Sequence, residues 1–231
     1  MADIPGKRMK VALINNYSVG KGKERIGRLT NILSTFPITL EIFPYHEIPV
    51  RRLMDGDFDC LILSGSGMNI SDPEDRRKMD AEIKLVRDIE IPVLAICFGL
   101  QLAAHAFGAK VGRNEKSEEW GAEIGKEIDI SILNDPEKII GLSSVPVNVK
   151  HRDYVSPSDQ EFIKSFEVYA ISVDGDLEYV QYAKHRERPL FCFQFHPECF
   201  DKTRAAVKME GARIVNNFLH WAWNETHAAA K

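Results

Sequence analysis

Cys97 and His196 are the residues whose surroundings could support covalent chemistry. Cys97 follows the apolar run Val93 to Ile96, which Pro92 bounds upstream. Such a run reads as a strand buried on both faces, as in a parallel sheet. After Cys97-Phe98-Gly99 come Leu100, Leu102, Ala103, Ala104, Ala106 and Phe107 at helical spacing, with Gly108 as the stop. The thiol therefore lies on a tight strand-to-helix turn, a nucleophile elbow with sulfur in place of a hydroxyl. The positive end of the following helix favours negative charge on that sulfur. A free cysteine is more often a small buried hydrophobe. The glycine two residues on and the helix pattern favour the functional reading here.

A partner for the thiol occurs downstream. Phe191-Cys192-Phe193-Gln194-Phe195 alternates like a strand and ends in His196-Pro197-Glu198. A histidine at a strand end can serve a thiol as general base, and a carboxylate two residues later can fix its tautomer and orientation. Pro197 stiffens the backbone between them. Either motif alone is a weak signal; the two together are a strong one.

These residues carry a resemblance. Ala95-Ile96-Cys97-Phe98-Gly99-Leu100-Gln101 resembles the nucleophile motif of the class I (triad-type) glutamine amidotransferases, and Phe193 to Glu198 resembles that family's second motif. Glu119-Trp120-Gly121 and His151-Arg152-Asp153 are similar to segments of the glutaminase part of GMP synthase, and the likeness runs from about Val11 to about Trp223. It implies a flavodoxin-like α/β fold and hydrolysis of the L-glutamine side-chain amide by a Cys97, His196, Glu198 triad. It implies an oxyanion hole from Phe98 and the Ser64 to Gly67 loop, with Gly65 and Ser66 as the loop donors. It also implies a glutamine pocket including Gly67, Gln101, His151, Arg152 and Asp153. This chain has Gly65-Ser66-Gly67 where the family usually shows Gly-Gly-Pro, Ala95 in place of a glycine, and Arg152 in place of another. No metal or cofactor is required. With no ATP-pyrophosphatase domain in the sequence, the expected recipient of the ammonia is an ATP-dependent synthetase subunit in trans. A stand-alone γ-glutamyl peptide hydrolase and a non-catalytic regulatory homologue are the alternatives; the intact Cys97, His196 and Glu198 argue against the second.

The elements that must position these groups are legible as a pattern. Val11 to Ile14, Thr39 to Phe43 and Cys60 to Leu63 read as strands, and Glu24 to Phe36 as a helix through Ile26, Leu29, Ile32 and Leu33. Ile48 to Met54 reads as a short helical turn. Asp72 caps a helix with Pro73 in its first turn, continuing to about Asp88 with Met79, Ile83 and Val86 on the packed face. Gly121 to Leu133 and Leu142 to Val149 read as strands extending the parallel sheet in antiparallel fashion. Phe166 to Ile171 and Tyr179 to Tyr182 form a hairpin about Asp174-Gly175. Arg204 to Trp223 is a closing amphipathic helix on which Trp221 and Trp223 cannot share one face, so one is exposed. His105 reads as structural.

At 231 residues the chain fits a single α/β domain over 1–231, with 1–8 and 225–231 as loose tails. A net charge of −4 gives no reason to expect nucleic acid or an anionic membrane surface as partner. No apolar run approaches a bilayer span and no signal-peptide pattern opens the chain. Cys60, Cys97, Cys192 and Cys199 lack CxxC spacing and read as reduced thiols in a cytoplasm.

Overall fold

A computed structural model describes residues 8–18, 20, 22–115, 125–199 and 205–228. In chain order, β1 is Met9–Asn15, α1 Lys23–Leu33, β2 Ile38–Pro44, α2 Val50–Met54 and β3 Cys60–Leu63. Then come α3 Pro73–Lys78, α4 Asp80–Asp88, β4 Val93–Ile96, α5 Phe98–Ala106, β5 Val111–Arg113, β6 Lys126–Ser131 and β7 Ser144–Val149. The chain closes with β8 Asp153–Val155, α6 Gln160–Ser165, β9 Phe166–Asp174, β10 Leu177–His185, β11 Leu190–Phe193 and α7 Ala205–Ala228.

The apolar runs became one sheet in the order β2-β1-β3-β4-β11-β10-β9. The first five strands pair in parallel, and β10 and β9 are added antiparallel at one edge. The parallel part winds outward in both directions from β1, the doubly wound order whose strand carboxyl ends form a ligand crevice. Because side chains alternate across a strand, each run supplies both faces. Val11, Leu13, Ile62, Leu94, Ile96, Phe191 and Phe193 face α1 and α7. Ala12, Ile14, Leu61, Leu63, Val93, Ala95 and Cys192 face α4 and α5. Each such Leu, Ile, Val or Phe side chain contributes about 1.5–3 kcal/mol on burial, so the strand ends that carry the site stand on a rigid layer.

Several expectations need correction. The helix read from Asp72 to Asp88 is two, interrupted at Met79, whose φ of −99° and ψ of 5° leave the helical region. β6 and β7 do not extend the main sheet. They form a separate two-stranded ribbon, joined to β9 by the bridge Ile132 to Ala170; the antiparallel extension is β10 and β9. The short β5–β8 pair and α6 lie in stretches to which the sequence reading assigned no element. The tail expected to be loose from 225 is helical through Ala228. Neither Trp221 nor Trp223 is exposed: both pack against the core, Trp221 edge-on to Phe191 and Trp223 stacked on His227. The Glu119 to Ile124 segment, including Trp120, lies outside the described residues. Among the described residues no helix is long and apolar enough to cross a membrane.

Candidate active site

The carboxyl ends of β1, β3, β4 and β11 meet at one crevice. β4 ends at Ile96, and Cys97 follows with φ 51° and ψ −97°, a backbone conformation that non-glycine residues rarely adopt. α5 begins at once. Its first intrahelical bond runs from the Gln101 N–H to the Cys97 carbonyl at 3.2 Å, so the Phe98 N–H is among the unpaired donors of the helix end. The turn is this tight because Gly99 has no side chain: a Cβ there would lie 3.1 Å from the Leu63 Cβ and carbonyl oxygen. Glycine thus lets α5 press onto β3 and aim the thiol at the crevice.

β11 delivers the facing groups. His196, Glu198 and Cys199 are all buried. The His196 Nδ1 and Glu198 Oε1 are 2.8 Å apart, and the imidazole interacts electrostatically with the Cys97 side chain. Burial works against a charged imidazole, yet its interactions with the Cys97 side chain and the Glu198 carboxylate outweigh it and hold the His196 pKa well above its ordinary value. Burial likewise opposes the Glu198 carboxylate, and the His196 charge and hydrogen bond overcome it, lowering that pKa. The three side chains form one line: thiol, imidazole, carboxylate.

The loop after β3 closes over this line. A Cβ on Gly65 would stand 2.8 Å from His196 Cε1 and 3.0 Å from the Tyr17 hydroxyl, so only glycine lets the backbone approach the imidazole so closely. The loop is tied down from β1. The Asn16 N–H donates to Ser64 Oγ at 2.9 Å, Ser64 Oγ donates to the Gly65 carbonyl at 2.9 Å, and Ser66 Oγ donates to the Asn16 carbonyl at 2.6 Å. The Asn16 amide donates to the Ser64 carbonyl at 3.2 Å and to the buried Glu82 at 3.0 Å.

A cavity of about 470 Å³ opens beside the imidazole, lined by Tyr17, Gly22, Glu24, Arg25, Ser66, Gly67, Lys150 and His196. Gly67 and Ser66 were expected at the site; Tyr17, Arg25 and Lys150 were not. The other expected pocket residues make internal contacts. The Gln101 amide donates to the Asp153 carbonyl at 2.8 Å and to Gln194 Oε1 at 3.3 Å. Gln194 in turn points its amide at Cys97 Sγ, 3.5 Å away, a contact invisible in the sequence because Gln194 reads as one more strand residue. The Asp153 carboxylate accepts from the Ser71 N–H and hydroxyl at 2.7 Å each. Arg152 pairs with Glu115. His151 is buried edge-on to Tyr179, and burial, then the His196 charge, push its pKa down to about 4. His105, read as structural, is part-buried.

His196, Glu198 and Cys199 also place nitrogen, oxygen and sulfur atoms within 4.8 Å of one another, a donor set of zinc type. All three of these groups are already engaged: His196 Nδ1 with Glu198 Oε1, and Cys199 Sγ with Arg25 Nη1 at 3.2 Å.

The comparisons with known proteins agree with this geometry. Residues 22–220 match the family model of glutamine amidotransferase class-I. The chain belongs to that family. It is therefore a glutamine amidotransferase, and its mostly parallel sheet with flanking helices is the fold of its solved neighbours. It is 31% identical over 209 residues to the glutamine-hydrolyzing GMP synthase subunit of Methanothermobacter thermautotrophicus, covering 90% of this chain and 95% of that one. It is 32% identical over 181 residues to the glutamine-hydrolyzing GMP synthase of Wolbachia pipientis, where the match takes 78% of this chain but only 32% of the relative. A solved structure described as a GMP synthase subunit of Thermoplasma acidophilum superposes with a TM-score of 0.75 at 25% identity, covering 97% of this chain and 99% of that one.

Proposed function

We propose that this amidotransferase hydrolyses the side-chain amide of L-glutamine through Cys97, His196 and Glu198 and passes the ammonia to an ATP-dependent synthetase subunit of the GMP synthase kind. The observation that carries the reading is the strained Cys97 at the mouth of α5, interacting with an imidazole that Glu198 holds at 2.8 Å. With Nδ1 committed to Glu198, Nε2 faces the thiol. Nε2 takes the Cys97 proton, and Sγ attacks the carboxamide carbon. The tetrahedral oxyanion is met by the Phe98 N–H and by N–H groups of Gly65 and Ser66. Each such donor is worth about 3 kcal/mol in acyl-transfer sites. The imidazolium returns its proton to the nitrogen, the C–N bond breaks and ammonia leaves. A water deprotonated by His196 then cleaves the γ-glutamyl thioester to glutamate and free thiol.

The flanking residues have supporting parts. Gln101 and Gln194 form a hydrogen-bonded relay that fixes the thiol from the helix side. Asp153 anchors the Ser71 segment beside the glycine-bearing loop. Gly67 walls the glutamine pocket. The likeness to a separately encoded glutamine-hydrolyzing GMP synthase chain, over nearly the whole length of that chain, supports a synthetase supplied as a second polypeptide.

The experiment is ammonia release from L-glutamine, beside γ-glutamyl peptides, with and without the synthetase chain of a GMP synthase. Glutamine turnover that rises when the synthetase is added, with peptides poor, is the expected result. Peptide turnover well above glutamine would replace this reading with a γ-glutamyl hydrolase.

A further inference from the structure

Two cations line the cavity, Lys150 and Arg25, and Arg25 comes from an element that the triad does not use. Arg25 lies in the first turn of α1, whose N-terminal end sits over the strand carboxyl ends. Its Nη1 donates to Cys199 Sγ at 3.2 Å. It is close enough to feel the charges of Cys199, Tyr17, Glu198 and Cys97, which raise its pKa against the opposing effect of burial. The same side chain lines the cavity of about 470 Å³ together with the imidazole and Ser66-Gly67.

The substrate's shape makes this placement informative. With its carboxamide carbon at Cys97, glutamine extends two methylenes away and ends in a carboxylate and an ammonium on one carbon. Three C–C bonds separate the reacting carbon from that α-carbon, about 4 Å at full extension. The carboxylate must then lie within the same cavity, out of bulk water, where it needs a cation. A guanidinium is always charged and presents parallel N–H donors matched to a carboxylate. The bond to Cys199 uses one Nη1 donor and pins the side chain, leaving the rest of the fork for the ligand.

We propose that Arg25 binds the α-carboxylate of the substrate and sets the preference for a free α-amino acid over other primary amides. The inference rests on the glutaminase reading and names the recognition at that same site.

The test uses the full chain. In a Cys97→Ala background, which cannot turn over, binding of L-glutamine is measured by calorimetry. The companion ligand is 4-aminobutanamide, which keeps the amine and the amide but lacks the α-carboxylate. Arg25→Gln is expected to weaken L-glutamine about 10- to 100-fold, the usual loss for a charge-assisted hydrogen bond. It should leave 4-aminobutanamide within about twofold, with Arg25→Lys in between. In chains that keep Cys97, Arg25→Gln should raise KM for L-glutamine by a similar factor while kcat changes less, a split that a role through Cys199 and Glu198 would not give. Unchanged glutamine affinity, equal loss for both ligands, or a fall in kcat with KM kept would overturn the proposal and leave the glutaminase reading standing. If the parent chain neither binds nor hydrolyses glutamine, the glutaminase reading falls and this proposal with it.

Discussion

Two glutamates are equally hidden in this molecule and behave in opposite ways. Glu198 is 2% exposed and Glu82 is 1% exposed. Burial pushes both carboxyl pKa values up. At Glu198 the facing imidazolium and its hydrogen bond reverse that push, and the pKa ends below its ordinary value. At Glu82 the only counterweight is the Asn16 amide, and the pKa rises from 4.5 to about 7. Burial alone therefore does not decide the charge of a carboxyl here; a cation in contact does. The same comparison separates two jobs at one crevice. Glu198 holds a charge for the imidazole. Glu82, through Asn16 and Ser64, braces the loop that covers it.

The largest effect is expected at the charged glutamate. Glu198→Gln keeps the shape but removes the carboxylate, so the His196 pKa falls toward its ordinary value and kcat drops about 10²- to 10⁴-fold, the usual worth of positioned acid–base help. Steady-state kinetics beside an NMR titration of His196 would check this. A variant with full activity and an unshifted His196 would break the comparison.

The smaller effect concerns stability, and its sign differs between the two groups. Glu198 has a lowered folded pKa, so its contribution is present above the ordinary carboxylate range and is lost as pH falls through the folded value. Glu82 has a raised folded pKa, so its contribution is full below 4.5 and is lost as pH rises toward about 7. At about 1.4 kcal/mol per tenfold change in proton affinity, that loss is about 3 kcal/mol. Glu82→Gln should therefore gain about 3 kcal/mol on the parent between pH 4.5 and 8, read from urea midpoints of both chains across that range. A difference that stays flat with pH would show Glu82 ionised throughout and erase the contrast.

The two regions were not equally legible in the sequence. Cys97 and the His196-Pro197-Glu198 run announce themselves because each is local: a strand, a turn and a reactive side chain within a few residues. The brace is built from residues far apart, Asn16 with Ser64 and Glu82, and no local spacing relates them. Glu82 did leave one trace. It lies three residues after Met79 and four before Val86, on the stripe read as the packed face, and a charged residue on an apolar stripe must be neutral or partnered. Arg25, Tyr17, Lys150 and Gln194 left none, because a first-turn arginine or a strand glutamine looks like ordinary surface until the fold brings it to the thiol. The parallel strands were readable as short apolar runs. The β6–β7 ribbon was readable as strands but not as a separate sheet, since pairing partners are set by the packing of whole elements.

The central claim is that Cys97 carries the glutamyl group. The most direct measurement is rapid acid quenching of the chain during turnover of L-glutamine, followed by mass spectrometry of the peptide holding Cys97. The account predicts a γ-glutamyl adduct on that peptide, absent from Cys97→Ala, in which glutamine turnover is also lost. Glutamine hydrolysis that persists in Cys97→Ala would contradict it.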